Sequence, residues 1–425
     1  MKRYNVAIVG ASGLIGHKFV EILEEREFPV SKLFLFASEK SAGKKIIFRE
    51  KEYYIQELDI DSFKKNKIDF ALFSAGAKVS QKFAPIASCS HCVVIDNSSA
   101  WRMNKSVPLV VPEINPKDAF KHKNIISNPN CSTIQAALVL KPLHDAYKIK
   151  RVVMSTYQAV SGAGNLGIED LESKDNTPKK FRYPIYNNCI PQIDVFNENG
   201  YTKEEIKLMN EIQKIFNDSI KVTATAVRVP IKNCHSESIN IEFEKPFDIG
   251  NIIALLEKAP GVKIIDNINQ ERYPMPIIAD GKDEVFVGRI RRDFTVDNGL
   301  NLWVVADNIR KGAATNAVQI AELLIGQTSK TSKNTDNKDK SKEKINLSKI
   351  KKDEKKDDKK DNKVQKSKKD TKDKEKKNNE DNKNKSDAKK NSKKDTKRYE
   401  DKREENKKTT KIKQQKTRKQ ENKKK

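Results

Sequence analysis

The stretch that most limits what this chain can fold into is Tyr4 to Glu27, YNVAIVGASGLIGHKFVEILEERE. A β-branched apolar run breaks at Gly10. Glycines recur at Gly13 and Gly16, and Phe19, Val20, Ile22 and Leu23 then fall on one helical face. Strand, glycine turn and helix in that order are the first step of a parallel sheet, because the chain must cross back over the sheet before pairing again. The same spacing lets a backbone approach a pyrophosphate, whose charge a helix N-terminus favours. A tight turn without a ligand is the plainer reading and stays open on these residues alone. The next strand, KLFLFAS, ends in SEKSAG, where Ser38, Lys40 and Ser41 offer hydroxyls and a cation suited to a ribose phosphate, which favours NADP over NAD. Glu39 argues the other way. IDFALFSAG and CVVIDNSS read as further strands, with VSQKFAPIAS a helix between them.

Composition matters at one boundary. Residues 328–425 hold 41 Lys and Arg against 20 Asp and Glu, so residues 1–327 carry only 44 against 39 of a whole-chain net charge of +26. The basic character therefore belongs to the tail. Its Lys, Asp, Asn, Glu, Ser and Thr cannot bury enough apolar surface to offset chain entropy, and it is expected to be disordered. No apolar stretch is long enough to span a membrane. The N-terminal apolar run is short and passes straight into a glycine turn and a charged helix, which does not suit a signal peptide. Five cysteines without a dense framework fit a reducing cytoplasm. Cys89 and Cys92 form a C-x-x-C with no second pair or histidine pair, so it reads as structural and no metal site is expected.

The second half turns on Cys131, in ISNPNCSTIQAALVLKPL, where polar turn residues give way to an apolar helix. Free cysteine is most often a small buried hydrophobe. At a helix N-terminus it is also where a thiolate is favoured. IKRVVMSTYQAVSGAG reads as a long strand ending near Gln158, and KVTATAVRVPI as another carrying Arg228. KNCHSESINIEFE reads as a loop holding His235 followed by a strand. Long alternating strands predict a substantial antiparallel sheet. NLWVVADNIRKGAATNAVQIAELLIG predicts a strand and an amphipathic helix that packs back on the first half. The fold class is thus α/β. A doubly wound, Rossmann-type domain spans 1–132, completed by 310–327. A second domain, 133–309, has a mixed, largely antiparallel sheet, and 328–425 is the disordered tail.

GASGLIG, DNSSAWRM, VPLVVPEIN, SNPNCSTIQ, STYQAVSGAG, RVPIKNCHSES and DNIRKGAATNAVQIAE, in that order, resemble bacterial aspartate-semialdehyde dehydrogenase across nearly all of residues 1–327. The resemblance implies Cys131 as nucleophile and His235 as acid/base, with Gln158 and Arg228 holding substrate. It makes Arg102, Asn130 and Lys207 phosphate-site candidates. It also implies NADP contacts at Ser12, Gly13, Leu14, Ile15, Ser38 to Ser41, Ser161, Gly162 and Asn308, and a homodimer or dimer of dimers. Lys207 sits on TKEEIKLMNEIQKIF, where a lysine ordinarily faces solvent, so the resemblance alone promotes it. The implied reaction interconverts aspartyl phosphate and aspartate semialdehyde, feeding lysine, methionine, threonine and isoleucine synthesis. It suits a thiol, because a thioester divides acyl-phosphate reduction into two easier steps, and backbone N–H groups at the start of the Cys131 helix are the candidate oxyanion donors. A sister reductase acting on N-acetylglutamyl phosphate shares this chemistry. A third reading is nucleic-acid or anionic-surface binding through the tail. The interspersed acids and the lack of stacking aromatics leave it a weak anionic contact, best placed in KIKQQKTRKQENKKK.

Overall fold

In the computed structural model, which describes residues 2–173 and 177–326, β1 (Tyr4–Val9) is buried on both faces. Val6 and Ile8 point into one apolar layer, Ala7 and Val9 into the other. That double burial is what a central parallel strand requires. The chain leaves β1 through Gly10, at φ +92, where a Cβ would stand 2.9 Å from the Ala75 nitrogen, so only glycine fits the turn into α1 (Leu14–Glu25).

β2 (Val30–Ala37) pairs with β1. An antiparallel hairpin that the sequence reading did not include, β3 (Lys45–Phe48) and β4 (Lys51–Tyr54), precedes β5 (Gln56–Glu57). There follow α2 (Ser62–Asn66), β6 (Phe70–Phe73), α3 (Ala77–Cys89), β7 (Val93–Asp96) and β8 (Ile125–Ser127). The six strands run β5-β2-β1-β6-β7-β8, all parallel. The order reverses between β1 and β6, and a crevice opens beyond their carboxyl ends. α1 covers one face of this sheet, and Phe63 of α2 with Phe83, Ala84 and Ala87 of α3 cover the other.

α4 (Cys131–Tyr147) leads into β9 (Ile149–Gln158), α5 (Asn165–Ser173), α6 (Lys203–Phe216), β10 (Lys221–Arg228) and β11 (His235–Phe243). α7 (Ile249–Lys258), β12 (Val262–Ile264), α8 (Pro276–Ala279), β13 (Val285–Asp293), β14 (Gly299–Ala306) and α9 (Thr315–Leu324) complete the described chain. The second sheet runs β10-β9-β11-β14-β13-β12, with three antiparallel and two parallel pairings. Ile134 and Leu138 of α4, Leu208 and Ile212 of α6, and Ile252 of α7 pack on one face, against Met154, Ile239 and Val304. Each such side chain contributes roughly 1.5–3 kcal/mol.

Two expectations need correction. His235 is the first residue of β11 and fully buried, not part of a polar loop. The chain turns sharply at Cys234, φ +73, and enters the strand at once. The terminal α-helix starts at Thr315 rather than Arg310. Before it the backbone makes a wider turn, Gly312 N–H to Asp307 O and Ala314 N–H to Ile309 O, while the Asp307 carboxylate accepts the Ile309 and Arg310 N–H groups. α9 then lays Ala317, Val318, Ile320 and Ala321 against the first sheet's core, and Glu322 pairs with Arg26, the residue after α1, at 2.6 Å. The disorder expected of residues 328–425 lies outside the described residues.

Candidate active site

Cys131 is the first residue of α4. Asn130 caps the helix through Oδ1, which accepts the Ser132 N–H at 2.9 Å and the Thr133 N–H at 3.4 Å. The Asn130 N–H is given to Glu211. These three N–H groups are therefore spent, and the expectation that the start of α4 offers them to an oxyanion fails for them. What stands beside the sulfur is His235, whose Nε2 is 3.2 Å from Cys131 Sγ. Nδ1 of the same ring accepts the Ala159 N–H at 3.0 Å. A nitrogen that accepts a backbone N–H holds no proton, so in the neutral ring the proton sits on Nε2 and faces sulfur.

Burial first, then the Glu204 charge, push the Cys131 thiol up to about 12, against the pull of Arg102, Arg228 and the Ser132 N–H. Burial and the Arg228 charge hold His235 well below its ordinary value. Both shifts favour a thiol beside a neutral imidazole over an ion pair, against the pull of the helix N-terminus toward thiolate.

Cys131 opens on a cleft of about 830 Å³ at the crevice of the first sheet. Gln158, Arg228, Arg102, Asn130 and Lys207 all line it, as do Gly13, Leu14, Ile15, Ser161, Gly162 and Asn308. His235 lies behind the thiol. Ser12 lies outside this lining, and so do Ser38, Lys40 and Ser41, on the turn after β2. The wide turn after β14 reaches the thiol: a Cβ on Gly312 would stand 3.0 Å from that of Cys131.

Two carboxylates that sequence reasoning missed organise the substrate side. Glu204 and Glu211 are buried on α6. Glu211 takes Arg102 Nη1 at 3.1 Å and the Asn130 N–H at 2.7 Å. Glu204 accepts from Asn130 Nδ2 at 2.8 Å, Gln158 Nε2 at 3.3 Å and Lys207 Nζ at 3.2 Å. Burial works against the Glu204 carboxylate, but the Lys207 charge and these bonds outweigh it and hold it below the usual range. Lys207 also pairs with Asp194 at 2.9 Å, so it is already neutralised on two sides. Arg228 gives Nη1 to the Ala159 carbonyl at 2.5 Å, and its Nε has no partner among the described residues. A signal for Glu204 and Glu211 was present. They fall at helical spacing with Leu208, Ile212 and Ile215, acids on the stripe that faces the core.

On the opposite wall, the Gly13 cap of α1 makes no side-chain capping bond and no acid occupies the first turn. A Cβ on Gly13 would meet nothing closer than Gly10 O at 3.4 Å. Backbone donors and an open face there fit the phosphates of a dinucleotide.

Comparison with known proteins supplies the family. Residues 5–122 match the model for the semialdehyde dehydrogenase NAD binding domain, and residues 140–311 that for the semialdehyde dehydrogenase dimerisation domain. An aspartate-semialdehyde dehydrogenase of Aquifex aeolicus is 56% identical over 334 residues, 76% of this chain and 98% of that protein. The crystal structure of the Vibrio cholerae aspartate semialdehyde dehydrogenase II complexed with ASA superposes with TM-score 0.73 at 47% identity, covering 76% of this chain and 99% of that one. A Candida albicans aspartate semialdehyde dehydrogenase with NADP gives TM-score 0.63 at 25% identity, with the same coverage. The match runs along nearly the whole length of these relatives, and the chain belongs to the aspartate-semialdehyde dehydrogenase family.

Proposed function

We propose that this oxidoreductase interconverts L-aspartate 4-semialdehyde plus phosphate with L-aspartyl 4-phosphate through a thioester on Cys131, with NADP as cofactor. The observation that carries the reading is the Cys131–His235 contact of 3.2 Å beside Arg228 and Glu204. Arg228 suits the substrate α-carboxylate, since a guanidinium binds it through two bonds. Glu204 suits the α-ammonium. An ammonium brought there cancels part of the charge that pushes the thiol up, so substrate binding itself favours the thiolate. This pairing of a free carboxylate with a free ammonium favours aspartate semialdehyde over an N-acetylated substrate.

The Cys131 thiol gives up its proton to the water of the cleft, the thiolate adds to the aldehyde carbon, and the oxygen, now negative, is met by the His235 Nε2–H. In place of the acid/base role that the resemblance implies, His235 serves in this reading as a fixed donor, because its Nδ1 accepts the Ala159 N–H and its proton sits on Nε2. A nicotinamide dinucleotide, when bound, accepts the hydride from that carbon. Cys131 is then a thioester. Arg102 and Lys207 hold hydrogen phosphate, Gln158 and Asn130 line its approach, and attack on the thioester carbonyl releases the thiolate, with the balancing proton coming from the phosphate. Ser12 to Ile15, Ser161, Gly162 and Asn308 would hold the dinucleotide, and Ser38, Lys40 and Ser41 its ribose phosphate; that the cofactor is NADP is supported by the Candida albicans relative, whose structure is with NADP.

The same reading makes residues 1–132 with 310–327 the cofactor domain and 133–309 the catalytic and dimerisation domain of a homodimer or dimer of dimers. It places the enzyme in the cytoplasm, in the biosynthesis of lysine through diaminopimelate and of methionine, threonine and isoleucine. Residues 328–425 add a weak anionic contact outside catalysis.

Absorbance of reduced cofactor tests this. With aspartate semialdehyde, phosphate and NADP, reduction is expected to require phosphate and to fall by at least about 10⁴-fold in Cys131→Ala. NAD and N-acetylglutamate semialdehyde should serve poorly, and a chain ending at Gln327 should keep its turnover. Phosphate-independent reduction, or a Cys131→Ala enzyme that still turns over, would overturn the reading.

A further inference from the structure

Behind the thiol lies a group of polar atoms that the reaction above does not use. Glu237 is fully buried on β11, two residues after His235 and on the same face of this central strand. Its strand neighbours in register are Thr156 of β9 and Val304 of β14. Ser132 and Gln135, on the first turn of α4, face it. Ser132 Oγ, Gln135 Oε1 and both Glu237 oxygens are buried without a hydrogen-bond partner among the described residues. Gln135 Nε2 points to the His235 carbonyl at 3.4 Å, which leaves Oε1 as the end turned elsewhere. Among the described residues no cation pairs with Glu237. Of the titratable side chains on α4 and β11, Cys131 stands next to Ser132 in the chain and His235 two residues before Glu237.

A carboxylate only accepts hydrogen bonds, and so does an amide oxygen. An ionised Glu237 would therefore have nothing to offer Gln135 Oε1, and a buried unpaired anion is costly. A carboxylic acid resolves both, having one O–H to give and one oxygen to receive. Burial acts in the same direction, holding Glu237 well above the ordinary carboxylate range against the pull of Ser132 and Gln135.

We infer that Glu237 is held as a neutral carboxylic acid that donates to Gln135 Oε1 and accepts from Ser132 Oγ, and that this bridge between α4 and β11 fixes Cys131 against His235. Glu237 is a positioning residue: it touches neither substrate nor sulfur, and acts through Ser132 beside Cys131 and through Gln135 on the His235 carbonyl. The inference rests on Cys131 and His235 being the reacting pair, but its first test does not use turnover.

Infrared difference spectra of the wild-type protein against Glu237→Gln at neutral pH should show a protonated-carboxyl band lost in the variant. Glutamine offers the same one-donor, one-acceptor pattern as the acid. Glu237→Gln should thus keep turnover within about threefold and leave the pH profile of Cys131 alkylation by iodoacetamide in place, while Glu237→Ala loses at least about tenfold and displaces that profile. The inference is overturned if no such band is lost, if Glu237→Gln falls as far as Glu237→Ala, or if wild-type activity needs Na⁺ or K⁺ and the Gln variant does not, since the oxygens would then hold a cation instead of a proton. Should Glu237→Ala fail to fold, the band and the Gln variant decide. Should the aldehyde assay show no turnover, the band and the alkylation profile still do, separating this inference from the reading of the reaction.

Discussion

Around Gly13 the wall of the cleft is backbone, with an uncapped helix start, no acid in its first turn and no side chain in the way. Around Cys131 the wall is side chains already committed to one another: Arg102 to Glu211, Lys207 to Glu204 and Asp194, and Gln158 to Glu204. A ligand at the first wall exchanges water for donors that need not move. A ligand at the second joins or displaces existing pairs, so a change there acts also through the partner left behind. The nucleotide side should therefore respond to bulk and the substrate side to charge.

Arg228 tests that contrast most strongly. Its guanidinium is buried, with Glu204 the carboxylate whose charge most favours its cationic form. Arg228→Leu should cost about 10²–10³-fold in kcat/KM for the semialdehyde. Arg228→Lys should recover little of it, because a point charge cannot replace two parallel bonds. A lysine variant within a few-fold of wild type would mean that charge alone is read.

Glu204 sharpens the comparison through pH. The Cys131 thiol stands well above an ordinary cysteine, at about 12. Thiolate is therefore scarce near neutrality, and the alkylation rate of the free enzyme should keep climbing through the alkaline range with no neutral plateau. Glu204→Gln removes the second-largest influence raising the thiol, so Cys131 should be alkylated faster at pH 7 even as KM for the semialdehyde rises about tenfold or more. Slower or unchanged alkylation would separate Glu204 from the thiol. A plateau near neutrality in the wild-type profile would mean a thiolate–imidazolium pair, which the Ala159 N–H on His235 Nδ1 argues against.

What was legible in the sequence divides along the same line. The glycine turn, the strands β1, β2, β6 and β7 and the start of α4 at Cys131 are local, each fixed by neighbours a few residues away, and all stand where the pattern put them; the short edge strands β5 and β8 carried no such pattern. Glu204, Glu211 and Glu237 depend on contacts between residues 46 to 109 positions apart, such as Gln158 with Glu204 and Arg102 with Glu211, and acids in a polar-looking helix or strand read as solvent-facing. His235 was misread because KNC looks like a loop, and only the left-handed turn at Cys234 shows that the strand begins there. Ser38 and Lys40 are exposed beyond the cleft lining, where a local motif gives residue types but no reach.

The smallest expected effect falls at the backbone wall, where two glycines three residues apart should part company. Gly10 holds φ +92 with a Cβ position 2.9 Å from Ala75 N, so Gly10→Ala should lower Tm by an amount equivalent to about 1–3 kcal/mol. Gly13 has φ −86, open to any residue, and its Cβ would touch only Gly10 O at ordinary contact. Gly13→Ala should leave Tm in place. If phosphates of a dinucleotide rest on this backbone, the added methyl stands where they approach, and NADP affinity should fall about tenfold, roughly the loss of one good hydrogen bond. Titrating NADP into both variants and melting both without it separates the two demands. An unchanged Kd for Gly13→Ala would mean that the turn serves the fold alone, and that the dinucleotide is held by the Ser161, Gly162 and Asn308 side of the cleft.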